Sequence, residues 1–87
     1  MIPRIKNLKP LDDYMLLVTF DCGTTVVYDV KQDINDIEQF RPLKTECGFF
    51  RQVQLDSSRT CVYWNEFIDL ASDNILEYGK PIIKGQE

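Results

Sequence analysis

The sequence contains no histidine. That removes the usual general base near neutral pH, and with it Ser-His-Asp and Cys-His nucleophile systems and every His-containing zinc site. Cations are in the minority: 10 Lys+Arg stand against 14 Asp+Glu, for a formal net charge of −4 and a pI near 4.7. This balance speaks against direct nucleic-acid binding, which rests on clustered Lys and Arg. Cysteine is scarce, and Cys22, Cys47 and Cys61 are widely spaced with no CxxC pair. Neither a disulfide framework nor a zinc knuckle is indicated, so the thiols read as reduced, small hydrophobes. The glycines are isolated, which excludes a Gly-rich phosphate loop. No apolar run approaches the roughly 20 residues that span a bilayer. Met1-Ile2-Pro3-Arg4 does not open as a secretory signal, so the expected location is cytoplasmic, away from membranes.

The chain has 87 residues, 44% of them hydrophobic and 28% charged. That is the composition of one small domain, expected to occupy residues 1–80, with residues 81–87 as a frayed tail. A chain of this size buries only about 64% of its unfolded surface, so a second chain sharing the apolar surface is expected to help, most simply as a homodimer. Charge is uneven along the chain. Arg4, Lys6 and Lys9 precede an acidic stretch of Asp12, Asp13, Asp21, Asp29, Asp33, Asp36 and Glu38 that Lys31 alone interrupts, and Arg41, Lys44, Arg51 and Arg59 follow. Such strips read either as solvated faces or as surfaces that pair across an interface, where charge sets register more than affinity.

Hydrophobic periodicity predicts an α+β fold: about five short, mostly antiparallel strands with short helices on one face. Residues 2–9 read as an extended edge whose Pro and basic side chains discourage further pairing. Tyr14 to Phe20 alternates Tyr14, Leu16, Val18 and Phe20 with Met15, Leu17 and Thr19. Both sets are largely apolar, which places this strand centrally. Asp21-Cys22-Gly23 turns the chain, with Gly23 in the left-handed conformation, and Thr24 to Val30 returns, completing an N-terminal meander. Asp33 is expected to cap a short helix to Phe40, ended by Arg41-Pro42. Thr45 is expected to cap a further turn through Phe49-Phe50-Arg51. Gln52 to Leu55 and Thr60 to Trp64 form a hairpin around Asp56-Ser57-Ser58-Arg59. Ser72 is expected to cap a last helix through Tyr78, with Gly79 just beyond it.

Few residues carry obvious chemistry. Asp29, Asp33, Asp36 and Glu38 lack the alternate-position spacing of a Ca²⁺ loop, and Asp12 and Asp13 read as turn formers. No metal site and no cofactor is expected. Cys47 is the best thiol-nucleophile candidate, near Lys44 and the expected Thr45 cap, though no base accompanies it. The most distinctive segment is Cys61-Val62-Tyr63-Trp64-Asn65-Glu66-Phe67. In a strand, Tyr63 and Trp64 face opposite ways, so one leaves the main core. An exposed aromatic beside Asn65 and Glu66 has the make-up of an interaction hot spot, whereas a buried one packs beneath the last helix. The candidate binding residues are therefore Tyr63, Trp64, Asn65 and Glu66.

The run PRIKNLKPLDDYMLLVTFDCGTTVVYDV, followed by FRPL, FFRQVQLD, TCVYWN and IDLASDNILEYG, resembles the small bacterial domain-of-unknown-function family numbered 2442. The resemblance covers roughly residues 3 to 79 and lies in hydrophobic positions and turns rather than reactive groups. It implies a compact α+β fold around an antiparallel sheet, brings no catalytic residues, and suggests a toxin-antitoxin pairing with a neighbouring small protein. Where the family usually has Asn-Gly or Asp-Gly at the first hairpin and Pro-Asn-Gly after the tryptophan, this chain has Cys22-Gly23 and Asn65-Glu66-Phe67. Together these readings point to a non-enzymatic module that binds a protein partner, as the antitoxin-like member of a pair. The alternatives are a small-molecule-binding or thiol-dependent enzyme using the Trp64 region or Cys47, and a structural subunit of a larger assembly.

Overall fold

A computed structural model describes residues 2–82. Two antiparallel sheets account for the strands. In the first, β1 (Ile5–Leu11), β2 (Met15–Phe20), β3 (Thr25–Asp29) and β7 (Lys80–Pro81) lie side by side in that order; in the second the order is β4 (Gln54–Leu55), β5 (Cys61–Asn65) and β6 (Ile68–Ala71). The α+β class and the meander are as the periodicity implies, with seven strands in two sheets where about five were expected. β2 is central, and its alternation holds: Leu16, Val18 and Phe20 are buried while Met15, Leu17 and Thr19 are half-buried. Tyr14 is not part of it. The β1–β2 connection is a 3₁₀ turn, Asp12–Tyr14, in which Asp13 (φ 61°) and Tyr14 (φ 58°) both take the left-handed region.

Two strands were not foreseen. In β6, Ile68 and Leu70 are buried between exposed Asp69 and Ala71, an alternation too short to stand out. β7 begins within what reads as the end of the domain: Pro81 pairs with Val26, and the Ile82 N–H donates to the Thr25 carbonyl at 2.8 Å. Residues 81 and 82 are therefore strand partners rather than tail, and 83–87 lie outside the described residues.

Helix ends differ most from expectation. α1 spans Lys31–Asp36 and starts from Val30, with the Asp29 side chain accepting from the Lys31 N–H at 2.8 Å; Asp33 sits inside the first turn and does not cap. Pro42, expected to end a helix, opens α2 (Pro42–Thr45), because a ring that supplies no N–H is harmless at the first helical position. Thr45 closes that helix instead of capping another, its hydroxyl donating to the Arg41 carbonyl. α3 (Ser72–Tyr78) follows Ala71, and the buried Ser72 hydroxyl donates to the Pro3 carbonyl at 2.6 Å, 69 residues away in sequence. Gly79 continues from α3 in an extended conformation, φ −72°, not a left-handed one.

One core joins the pieces. Leu16, Val18, Phe20, Val26 and Tyr28 from the first sheet meet Val62, Trp64, Ile68 and Leu70 from the second, with Ile34, Phe40, Leu43, Phe50 and Ile75 from the helical segments filling between. The short helices thus contribute side chains to the same core as both sheets. Main-chain bonds also cross between the sheets, from Ile5 N–H to the Arg59 carbonyl at 2.7 Å, and Arg59, itself left-handed (φ 62°), pairs with Asp21 at 2.8 Å.

Candidate functional site

The pairing of β5 with its neighbours decides which side chains reach the surface. Tyr63 stands between Gln54 and Asp69, and Cys61 opposite Ala71, so these residues share the outer face of the three-stranded sheet. Val62 and Leu70 pair on the inner face and are buried. The ladder is irregular between Tyr63 and Asn65. There Trp64 turns into the core, where its indole N–H donates to the Phe50 carbonyl at 2.8 Å and its ring lies against Phe50 and Phe40 at centroid distances of 5.8 and 6.3 Å. At 6% exposure it offers no face to a ligand. Of the two readings open for the aromatic pair, Trp64 is core and Tyr63 is the outward member.

Asn65 has a structural task within the site. Its side-chain oxygen accepts from the Phe67 N–H at 2.8 Å and from the Ile68 N–H at 2.9 Å, which closes the β5–β6 turn. The turn holds Glu66 and Phe67 out into solvent, Phe67 being 70% exposed. Phe67 lies one residue beyond the candidates Tyr63, Trp64, Asn65 and Glu66. The signal available was an Asn followed two residues later by an aromatic in a tight turn.

A shallow depression of about 430 Å³ on this outer face is lined by Asp56, Cys61, Tyr63, Asn65, Glu66 and Asp69. Asp69 also lines a neighbouring groove of about 540 Å³ with Asp29, Asp33, Asp36, Ile37 and Tyr78 among its walls. Among the described residues no Lys or Arg lines either one. Two carboxylates are held by local bonds. Asp56 accepts from the Ser58 hydroxyl at 2.6 Å and the Ser58 N–H at 3.0 Å, which keeps its carboxyl below the usual range. Asp33 accepts from the Tyr28 hydroxyl at 2.6 Å; burial, and then this bond and charge, push the Tyr28 phenol well up. The Cys61 thiol is raised by burial and then by Asp69 and Asp56, so at neutral pH it is a protonated, weakly reactive group. Among the described residues no three His, Cys, Asp or Glu side chains converge as metal ligands would.

Cys47 lies elsewhere. It is exposed in a groove shared with Asp12, Lys44 and Arg51, just past the C-terminal end of α2, because Thr45 ends that helix instead of capping another. Cys22 is exposed on the first hairpin, its thiol lowered by the Thr24 hydroxyl. No helix among the described residues is long and apolar enough to cross a membrane.

Compared with known families, residues 5–81 match the model of a protein of unknown function, DUF2442. Neither the curated proteins nor the solved structures yield a match.

Proposed function

The chain belongs to the DUF2442 family, whose description assigns no activity, and from the site itself we propose that it is a non-enzymatic module that binds a protein partner. The observation that carries this reading is the joined acidic lining. Asp56, Glu66 and Asp69 on the small sheet, and Asp29, Asp33 and Asp36 beyond Asp69, border two depressions with no cation in either wall among the described residues. Exposed Tyr78 and Phe67 and half-buried Tyr63 stand among or beside these carboxylates. Aromatic side chains supply desolvated contact area, and a one-signed surface around them steers an oppositely charged partner and rejects others. The partner is therefore a basic protein segment. In the toxin-antitoxin pairing that the family resemblance implies, that partner would be a small nucleic-acid-directed protein whose basic surface this chain covers as an antitoxin does.

Of the sequence-based site, Tyr63 and Glu66 remain at the surface and Asn65 shapes the turn, Trp64 lies beneath it in the core, and Phe67 and the surrounding carboxylates are added. The test is a pull-down from the native cell with the wild-type protein and with Glu66→Lys/Asp69→Lys. The wild type retains a basic protein in stoichiometric amount, more weakly as salt rises, and the double variant loses it while keeping its fold. Retention of the same protein by the charge-reversed variant would sink the proposal.

A further inference from the structure

We propose that the outer face of the four-stranded sheet docks a second copy of this chain. This goes beyond the reading above and uses a different face of the molecule, which meets the acidic groove only at Asp29. The strand register places Lys9, Leu17, Val27 and Lys80 in one row across β1, β2, β3 and β7, and Leu11, Met15 and Asp29 in the next row. Their alternating neighbours Leu16, Val18 and Val26 point inward and are buried. Leu11, Met15, Leu17 and Val27 are only half-buried and belong neither to the core nor to the side chains packed against it. Four apolar side chains thus form a contiguous patch on a sheet face, flanked at both ends of one row by lysine.

The charges on this face select the occupant. A partner bearing only acids would match Lys9 and Lys80 but confront Asp29, and a basic partner would do the reverse. A second copy carries both signs. With a two-fold axis running across the strands between the two rows, Leu17 of each copy lies against Met15 of the other, and each Lys80 comes beside the other copy's Asp29. Such an isologous arrangement closes on itself and leaves no sheet face open for further growth. Asp29 is held in place for this, since its carboxylate already accepts from the Lys31 N–H.

The size of the patch sets the strength. At about 4.8 Å between strands and about 3.4 Å per residue, the four strands and their side chains present on the order of 400 Å², roughly half of what each partner contributes to a standard interface. The dimer is accordingly weak, and its population depends on concentration in the micromolar to sub-millimolar range.

Sedimentation equilibrium on the full chain over a concentration series tests this. The wild type is expected to show a reversible monomer–dimer equilibrium. Leu17→Glu places an unpaired charge in the centre of the patch and raises the dissociation constant at least about 10-fold, and Lys80→Glu, which sets like charges together, raises it about 3- to 10-fold. Adding Asp29→Asn to Lys80→Glu removes that repulsion while keeping an oxygen for the Lys31 N–H, and recovers part of the loss. Lys80 is exposed, so its variant reports even where circular dichroism shows Leu17→Glu to be unfolded. A wild type that stays monomeric to about 1 mM, a dimer that neither substitution weakens, or no recovery with Asp29→Asn would each overturn the proposal. Leu17 and Lys80 line neither acidic depression, so Leu17→Glu and Lys80→Glu as single variants leave capture of the basic partner unchanged.

Discussion

Gly23 and Gly79 are both required to be glycine, for different physical reasons. At Gly23 the requirement is conformational: φ is +93°, and an added Cβ would meet nothing within 4 Å. At Gly79 φ is ordinary, but an added Cβ would stand 2.5 Å from the Ile75 carbonyl oxygen and 3.0 Å from a Val26 methyl. The Gly79 N–H donates to that same Ile75 carbonyl at 2.8 Å, so relief requires moving the junction between α3 and β7. Gly23→Val is expected to lose about 1–3 kcal/mol and Gly23→Asn clearly less, because Asn tolerates the left-handed region. Gly79→Ala is expected to lose about 1–3 kcal/mol through overpacking, and Asn at that position recovers nothing. Urea denaturation midpoints of the four variants decide; equal losses for Val and Asn at position 23 would refute the conformational cause. Trp64 belongs with these structural residues. Trp64→Phe leaves the Phe50 carbonyl without its donor and opens a gap beside Phe40, a loss of about 2–3 kcal/mol, whereas Glu66→Lys on the exposed turn stays within about 0.5 kcal/mol. Comparable losses from the two would place Trp64 outside the core contacts described.

At the scale of the element, the bond from Tyr28 on β3 to Asp33 on α1 ties a short helix to the sheet that precedes it. A helix as short as Lys31–Asp36 has little stability of its own, so such ties and the burial of Ile34 hold it. The same bond makes stability depend on pH. Burial first, then Asp33, raises the Tyr28 phenol in the folded chain above the ordinary tyrosine value of about 10. The folded state therefore holds this proton more firmly than the unfolded one. The resulting stabilisation is complete below about pH 10 and is lost as pH rises beyond it. Melting of the wild type and Tyr28→Phe between about pH 7 and pH 11 should show a wild-type advantage on the order of 1 kcal/mol that shrinks on the alkaline side. A constant difference across that range would mean that the phenol is not perturbed by its site. The elements themselves were legible unequally. Strands β2, β3 and β5 could be read because their period-two pattern spans five or six residues and directly reflects which face is buried. Helix ends could not, because Asp33, Thr45 and Ser72 are cap-type residues whose side chains bond elsewhere: to Tyr28, to the preceding turn and to Pro3. β6 and β7 were missed since strands of four and two residues carry almost no pattern and exist through their partners. Of the site, Tyr63, Asn65 and Glu66 were legible from local composition, but Asp29 at the end of β3 and Asp33 and Asp36 of α1 line one groove with Asp69 only through the tertiary fold.

Over the whole molecule, the two sheets cannot be separate folding units. Each turns an apolar face inward, and the residues that cover it come from the other sheet or from the helical segments. Trp64 of the second sheet is closed over by Phe40 and Phe50, and Tyr14, in the turn just before β2, meets Phe50 edge-on at 5.4 Å, so a single aromatic cluster reaches both sheets. The chain ends are bound in as well: Ser72 at the start of α3 holds the Pro3 carbonyl, Arg59 joins Asp21, and β7 adds the last described strand to the first sheet. Removing either sheet would expose the inner face of the other to water. Differential scanning calorimetry at a concentration where the chain is monomeric should accordingly give one transition, with calorimetric and van't Hoff enthalpies equal and near ~60 kcal/mol for a chain of this length. Ser72→Ala, which leaves the Pro3 carbonyl unpaired, should lower the midpoint of that single transition by several degrees without splitting it. Two resolved transitions, in the wild type or in this variant, would show that the sheets fold independently and that the shared core contributes little to holding them together.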